Sequence, residues 1–207
     1  MAEPNKIAIL VLVTMSRALA ALCAFTAMLA VPAPAPTRTA VVVFSPWELG
    51  PLKDGFKVMR ESTGSCGGRS LVTDRADAWR CFEGNDIDDP CFATSASNTV
   101  VACVQSPFSK RVVLLTLGKP LAGGEDATSR WLQPHGEPWG LRLVNGGTCV
   151  FVWGATDAVA GERMNYACTE AGWIIGAPDR STAIWTARAV AWPNKGIKLV
   201  RIAVAIF

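Results

Sequence analysis

Behind an apolar leader this chain carries six cysteines, and that combination limits its folds more than any other feature. They are Cys66, Cys81, Cys91, Cys103, Cys149 and Cys168. An even number of cysteines downstream of an export signal reads as a disulfide framework. Six cysteines allow 15 connectivities, which spacing alone does not separate. The expected pairing is sequential: Cys66–Cys81, Cys91–Cys103 and Cys149–Cys168, with separations of 15, 12 and 19 residues. In the chain-entropy view each such closure stabilises by about 3 kcal/mol. Zinc sites want cysteines two to four residues apart, usually with histidine. No two cysteines here are that close, and the sole histidine is His135. No metal and no cofactor is expected, and bridged thiols are not nucleophiles.

The leader occupies residues 1–35. Residues 7–31 read IAILVLVTMSRALAALCAFTAMLAV, interrupted by Arg17. A mid-span arginine costs roughly 2.5–3.5 kcal/mol on insertion scales, so one continuous membrane helix is a poor reading. A start at Met15 gives a better one, with a short positive region at Met15-Ser16-Arg17 and an apolar run from Ala18 to Val31. PAPAPT then breaks the helix where a signal peptidase could act. Contact with a membrane is expected only if this leader is retained. Cys23 reads as an apolar leader residue. The expected location is secreted or extracytoplasmic, at the cell envelope.

Half the chain is hydrophobic and 18% is charged, which excludes disorder and allows a real core. The net charge of +3 is spread without clusters, so the basic stripe that nucleic-acid binding requires is missing. After an N-terminal strand and loop over 36–63, residues 64–207 read as one disulfide-stapled β domain. Thr39 to Phe44 is β-branched and apolar, a first strand. Ser45 to Gly55 is loop. Thr73 or Asp74 could cap a short helix through DRADAWRCF, and GNDIDDP at 84–90 is turn chemistry. Asn98–Val104 and Arg111–Leu117 suggest a hairpin about Ser-Pro-Phe-Ser. In WGLRLVNGGTCVFVWG, Asn145-Gly146 marks a second hairpin. Further strands fit 163–168, 172–175, 183–192 and 197–206, with Val200, Ile202, Val204 and Ile206 on one face. The fold class is therefore all-β, a sandwich or small barrel, with at most one short helix and three disulfides.

Candidate chemistry is sparse. His135 sits near Glu137, but no G-x-S-x-G elbow accompanies it, so no catalytic residue is assigned. Asn85, Asp86, Asp88 and Asp89 form an acidic cluster without the calcium-loop pattern. Arg75, Asp77 and Arg80 read as a solvated or ion-paired helix face. The eight tryptophans are the better lead. Trp131 and Trp139 flank the Pro-rich loop that holds His135, where exposed rings could stack on sugars. Trp153, Trp173 and Trp185 lie in strand-like runs and read as core.

The run GSCGGRSLVTDRADAWRCFEGNDIDDPCF at 64–92, with PWGLRLVNGGTC at 138–149, GATDAVAGERMNYAC at 154–168 and PDRS at 178–181, resembles a cysteine-rich domain of exported bacterial proteins. That family has no assigned activity, so the resemblance implies an extracytoplasmic domain and no site residue. The expected function is a secreted or envelope-associated, non-enzymatic binding domain that recognises a cell-wall glycan or an envelope protein. Trp131, His135 and Trp139 are its candidate ligand residues. The alternative is an extracellular hydrolase using acidic residues near His135.

Overall fold

The computed structural model describes residues 36–121, 136–191 and 196–207. The leader, Trp131 and His135 lie outside them. Thirteen strands follow one another: β1 (Ala40–Val42), β2 (Lys57–Arg69), β3 (Ala78–Glu83), β4 (Asp86–Thr94), β5 (Ser97–Cys103), β6 (Arg111–Leu117), β7 (Gly140–Leu143), β8 (Thr148–Phe151), β9 (Ala158–Val159), β10 (Glu162–Cys168), β11 (Gly172–Asp179), β12 (Thr186–Val190) and β13 (Ile197–Ile206). The fold is all-β, and among the described residues there is no helix.

The strands close two small barrels. In the first, β2 to β6 pair in sequence order, and a parallel β2–β6 ladder shuts the ring. In the second, the order is β13-β12-β11-β10-β8-β7, closed by antiparallel β13–β7 pairing. The short β1 adds in parallel to β13, and β9 pairs with β10. β2 runs through the 63–64 division drawn from the sequence.

Both expected hairpins form, β5–β6 and β7–β8. The helix expected through DRADAWRCF does not. Ala78 and Cys81 are both buried, three residues apart, because a bulge between Trp79 and Cys81 interrupts the two-residue alternation. Strand pairing on both sides and the Cys66–Cys81 bridge outweigh the modest helix preference of alanine. GNDIDDP is turn only at its start. Gly84 takes φ +59° and turns the chain, and from Asp86 onward the segment is β4.

β13 corrects a second expectation. A bulge between Ile202 and Val204 flips the strand halfway along. Val200 and Ile202 therefore face the second barrel's core, while Val204 and Ile206 face the other barrel.

All three disulfides form in the expected sequential pattern. Each joins residues directly opposite one another on neighbouring antiparallel strands. Three such bridges fit an oxidising compartment.

The barrels meet over an aromatic cluster. Trp139, which leads into β7, is fully buried. Its ring centroid lies 5.1 Å from Phe44 and 5.7 Å from Phe92 of the first barrel. Arg75 clasps the same joint. Its Nη1 donates to the carbonyls of Phe44 and Phe207, its guanidinium lies 4.9 Å from the Phe92 ring, and Asp77 pairs with it. The arginine read as part of a charged helix face is thus a largely buried fastener.

Candidate functional site

The site arises where β6 stops and β2 does not. β2 pairs with β6 from Lys57 to Gly64, and with β3 on its opposite edge from Ser65 onward. The amide of Gly118 still donates to the Gly64 carbonyl at 3.3 Å, and then the chain swings away. Leu121 donates to the Asn98 carbonyl at 2.8 Å, which ties the departing segment to β5. Beyond Gly64, therefore, one edge of β2 has no strand partner among the described residues.

A cleft of about 640 Å³ fills this gap, lined by Ser65 to Gly68, Trp79 and Gly118 to Leu121. Its glycines differ in what the fold asks of them. A Cβ on Gly64, just outside the cleft, would sit 2.6 Å from the Phe82 carbonyl oxygen, so packing demands glycine there. A Cβ on Gly68 or Gly118 would meet nothing within 4 Å, and neither residue takes the left-handed φ that favours glycine. These two leave the cleft open without serving the barrel.

Trp79 is steadied by Arg69, whose guanidinium carbon lies 4.1 Å from the ring centroid and which also donates to the Ala76 carbonyl. Among the described residues, the charged side chain lining the cleft is Lys119, and none of the lining residues is a carboxylate or an imidazole. The Cys66–Cys81 bridge borders the cleft. Cys66 is half-buried, and Cys81 is fully buried among Cys91, Val101, Cys103 and Leu115.

The tryptophans sort differently from the sequence reading. Trp139 is in the core and presents no face to a ligand. Trp131 and His135 lie outside the described residues. Trp153, read as core, is 48% exposed, with Arg80 stacked 4.8 Å from its ring and 5.5 Å from Phe82. Trp79 and Trp153 are the residues that the sequence reading missed. A glycine pair following Cys66 was the only legible hint of an open edge, and β8 ends at Phe151, two residues before Trp153.

Of the acidic cluster, Asp89 is tied into the fold. Asp89 accepts from Ser70 Oγ and from the Leu71 amide. Burial is the main influence on it and holds its pKa above the usual carboxylate value despite these bonds. Burial raises Asp88 as well, with Glu83 and Asp86 adding to the rise and Arg60 opposing it. Glu137, beside His135 in sequence, pairs with Arg180 at 3.5 Å and accepts from the Tyr166 hydroxyl at 3.3 Å. Burial, reinforced by that carboxylate, pushes the Tyr166 phenol up.

No family, curated protein or solved structure matches the chain.

Proposed function

We propose that this is a secreted or cell-envelope-associated, non-enzymatic binding domain, and that it engages an extended segment of a protein partner along the open edge of β2. The observation that carries this reading is the cleft beside that edge, kept open by glycines that the fold does not require. An exposed strand edge offers unpaired backbone donors and acceptors, and strand addition is a common way to read an extended peptide. Among its described residues the cleft offers backbone edge, glycines, Trp79 and Lys119, a set suited to binding an extended segment. The three bridges support a site of action outside the cytoplasm.

The test is selection of a displayed random-peptide library on the wild-type domain, with Gly68→Leu/Gly118→Leu as counter-target. A Cβ at either position meets nothing within 4 Å, so the leucines have room to enter the cleft and melting should change little. Peptides that bind the wild type and fail on the filled variant support the reading, and equal binding to both overturns it.

A second reading draws on Trp153, whose half-exposed ring and stacked Arg80 form a platform suited to sugar rings. Sedimentation with insoluble peptidoglycan, weakened by Trp153→Ala and indifferent to the filled cleft, would make the domain a glycan binder.

A further inference from the structure

The Cys66–Cys81 bridge is the accessible end of a cluster of four sulfurs. Cys66 lines the cleft. Behind it, the Sγ atoms of Cys81, Cys91 and Cys103 all lie within 4.8 Å of one another, and all three residues are buried. The barrel's own order produces this. β2, β3, β4 and β5 are successive neighbours, and each turns one cysteine toward the same core. The Lys119 ammonium in the cleft wall suits the approach of an anionic thiolate.

We propose that the first barrel is a thiol–disulfide exchange module in which Cys66–Cys81 meets an external dithiol and Cys91–Cys103 is its internal acceptor. The external thiolate attacks Cys66 Sγ. A mixed disulfide forms there, the Cys66–Cys81 bond breaks, and its electron pair leaves on Cys81 Sγ. The Cys81 thiolate then attacks Cys91 or Cys103, forming a new bridge to that residue and releasing the other as a thiolate. The second thiol of the external molecule attacks its own sulfur in the mixed disulfide and frees Cys66. The dithiol has been oxidised to its disulfide by two electrons. The domain has gone from two bridges to one bridge and two thiols, which take up the two protons that the dithiol gives up. Exchange of this kind requires a thiolate, access and a sulfur within reach. The cleft supplies the access, and the cluster supplies the reach. This activity does not depend on the peptide-binding reading, because a small dithiol suffices to reveal it.

The test treats the folded chain with one equivalent of dithiothreitol. Acid quenching, alkylation in denaturant and mapping of the bridged peptides by mass spectrometry follow. The expected product has Cys66 alkylated, a new bridge from Cys81 to Cys91 or Cys103, and Cys149–Cys168 intact. In Cys91→Ser/Cys103→Ser the acceptor is gone, so Cys81 should be alkylated together with Cys66. Alkylation of Cys66 and Cys81 in the wild type with Cys91–Cys103 untouched would overturn the relay. So would new bridges that include Cys149 or Cys168, since those mark exchange through unfolding, and so would no reduction at all under native conditions. If the serine variant does not fold, the wild-type map still decides.

Discussion

The two barrels are held by different means. The first closes through a parallel ladder, and its core is built around Cys81, Cys91 and Cys103 with Val101, Leu115 and Leu117. The second closes through an antiparallel ladder over Leu141, Leu143, Tyr166, Ile174, Ile202 and Phe207, with one bridge. Burying an aliphatic or aromatic side chain removes apolar area from water, worth about 1.5–3 kcal/mol each. A disulfide instead acts mainly by restricting the unfolded chain. The first barrel is stapled and the second is packed. A stapled barrel can carry an open edge and exposed glycines, because its integrity does not depend on every strand being covered.

The harshest way to break the comparison is to remove the staples. Replacing Cys66, Cys81, Cys91 and Cys103 by alanine should cost about 3 kcal/mol for each bridge lost. Amide hydrogen exchange should then show protection lost across β2 to β6 and retained across β10 to β13. The pair Cys149→Ala/Cys168→Ala also forfeits about 3 kcal/mol, but its barrel should stay folded on its apolar core. Loss of both barrels together in the four-cysteine variant would show that they stand or fall as one.

Trp139→Ala comes next, at about 3–5 kcal/mol, because a large buried ring leaves a cavity that its neighbours only partly refill. Its ring touches both barrels, so denaturant unfolding should show the loss in each. Trp139→Phe should cost less, since the indole Nε1 is buried without a hydrogen-bond partner among the described residues. A loss confined to the second barrel would mean that the aromatic cluster does not couple them.

The same contrast explains what was legible in the sequence. Local signals carried the second barrel well. Asn145-Gly146 announced the β7–β8 hairpin, and the strands at 163–168, 172–175 and 197–206 sit on observed strands. The bridges were legible too, because sequential cysteines that close short loops suit neighbouring strands. The first barrel was harder. β2 carries three glycines and is exposed along most of its length, so it offers no hydrophobic alternation to read. β3 hides its strand character behind a bulge. The cleft was illegible for a simpler reason. It lies between β2 and the segment after β6, about fifty residues apart in sequence, and only closure of the ring brings them together. Trp139 misled because a Pro-rich flank looks like a loop, whereas here it delivers the ring into the joint between barrels.

Thr39→Val probes the second barrel from its N-terminal approach. The buried Thr39 Oγ1 donates to the Ile202 carbonyl at 2.6 Å and accepts from the Trp185 amide at 2.8 Å. Valine keeps the shape and removes both bonds, leaving two backbone groups unpaired, at about 1–3 kcal/mol. Faster exchange at the Trp185 amide and a lower melting temperature should accompany it. An unchanged melting temperature would mean that water takes over both partners.

The smallest effect concerns pH and again separates the barrels. In the first barrel, burial raises Asp88 and Asp89 above the ordinary value of 3.8. The folded state then holds these protons more tightly than the unfolded state. Their contribution to stability is fully present below 3.8 and is lost as pH rises through the raised folded values; at neutral pH both ionised groups are a constant penalty. Asp179 in the second barrel runs the other way. The Ser181 amide lowers its pKa, so its contribution is present above 3.8 and is lost as pH falls. It is fully exposed, and solvent screening leaves that contribution slight. Melting followed from pH 7 down to about pH 4 should therefore show a relative gain for the first barrel, read by exchange at β3 and β4 amides. Asp88→Asn should raise stability at pH 7 and flatten this slope, since its Oδ2 is buried without a partner among the described residues. A variant less stable than the wild type at pH 7 would show that the attraction of Arg60 for the ionised carboxylate outweighs its burial.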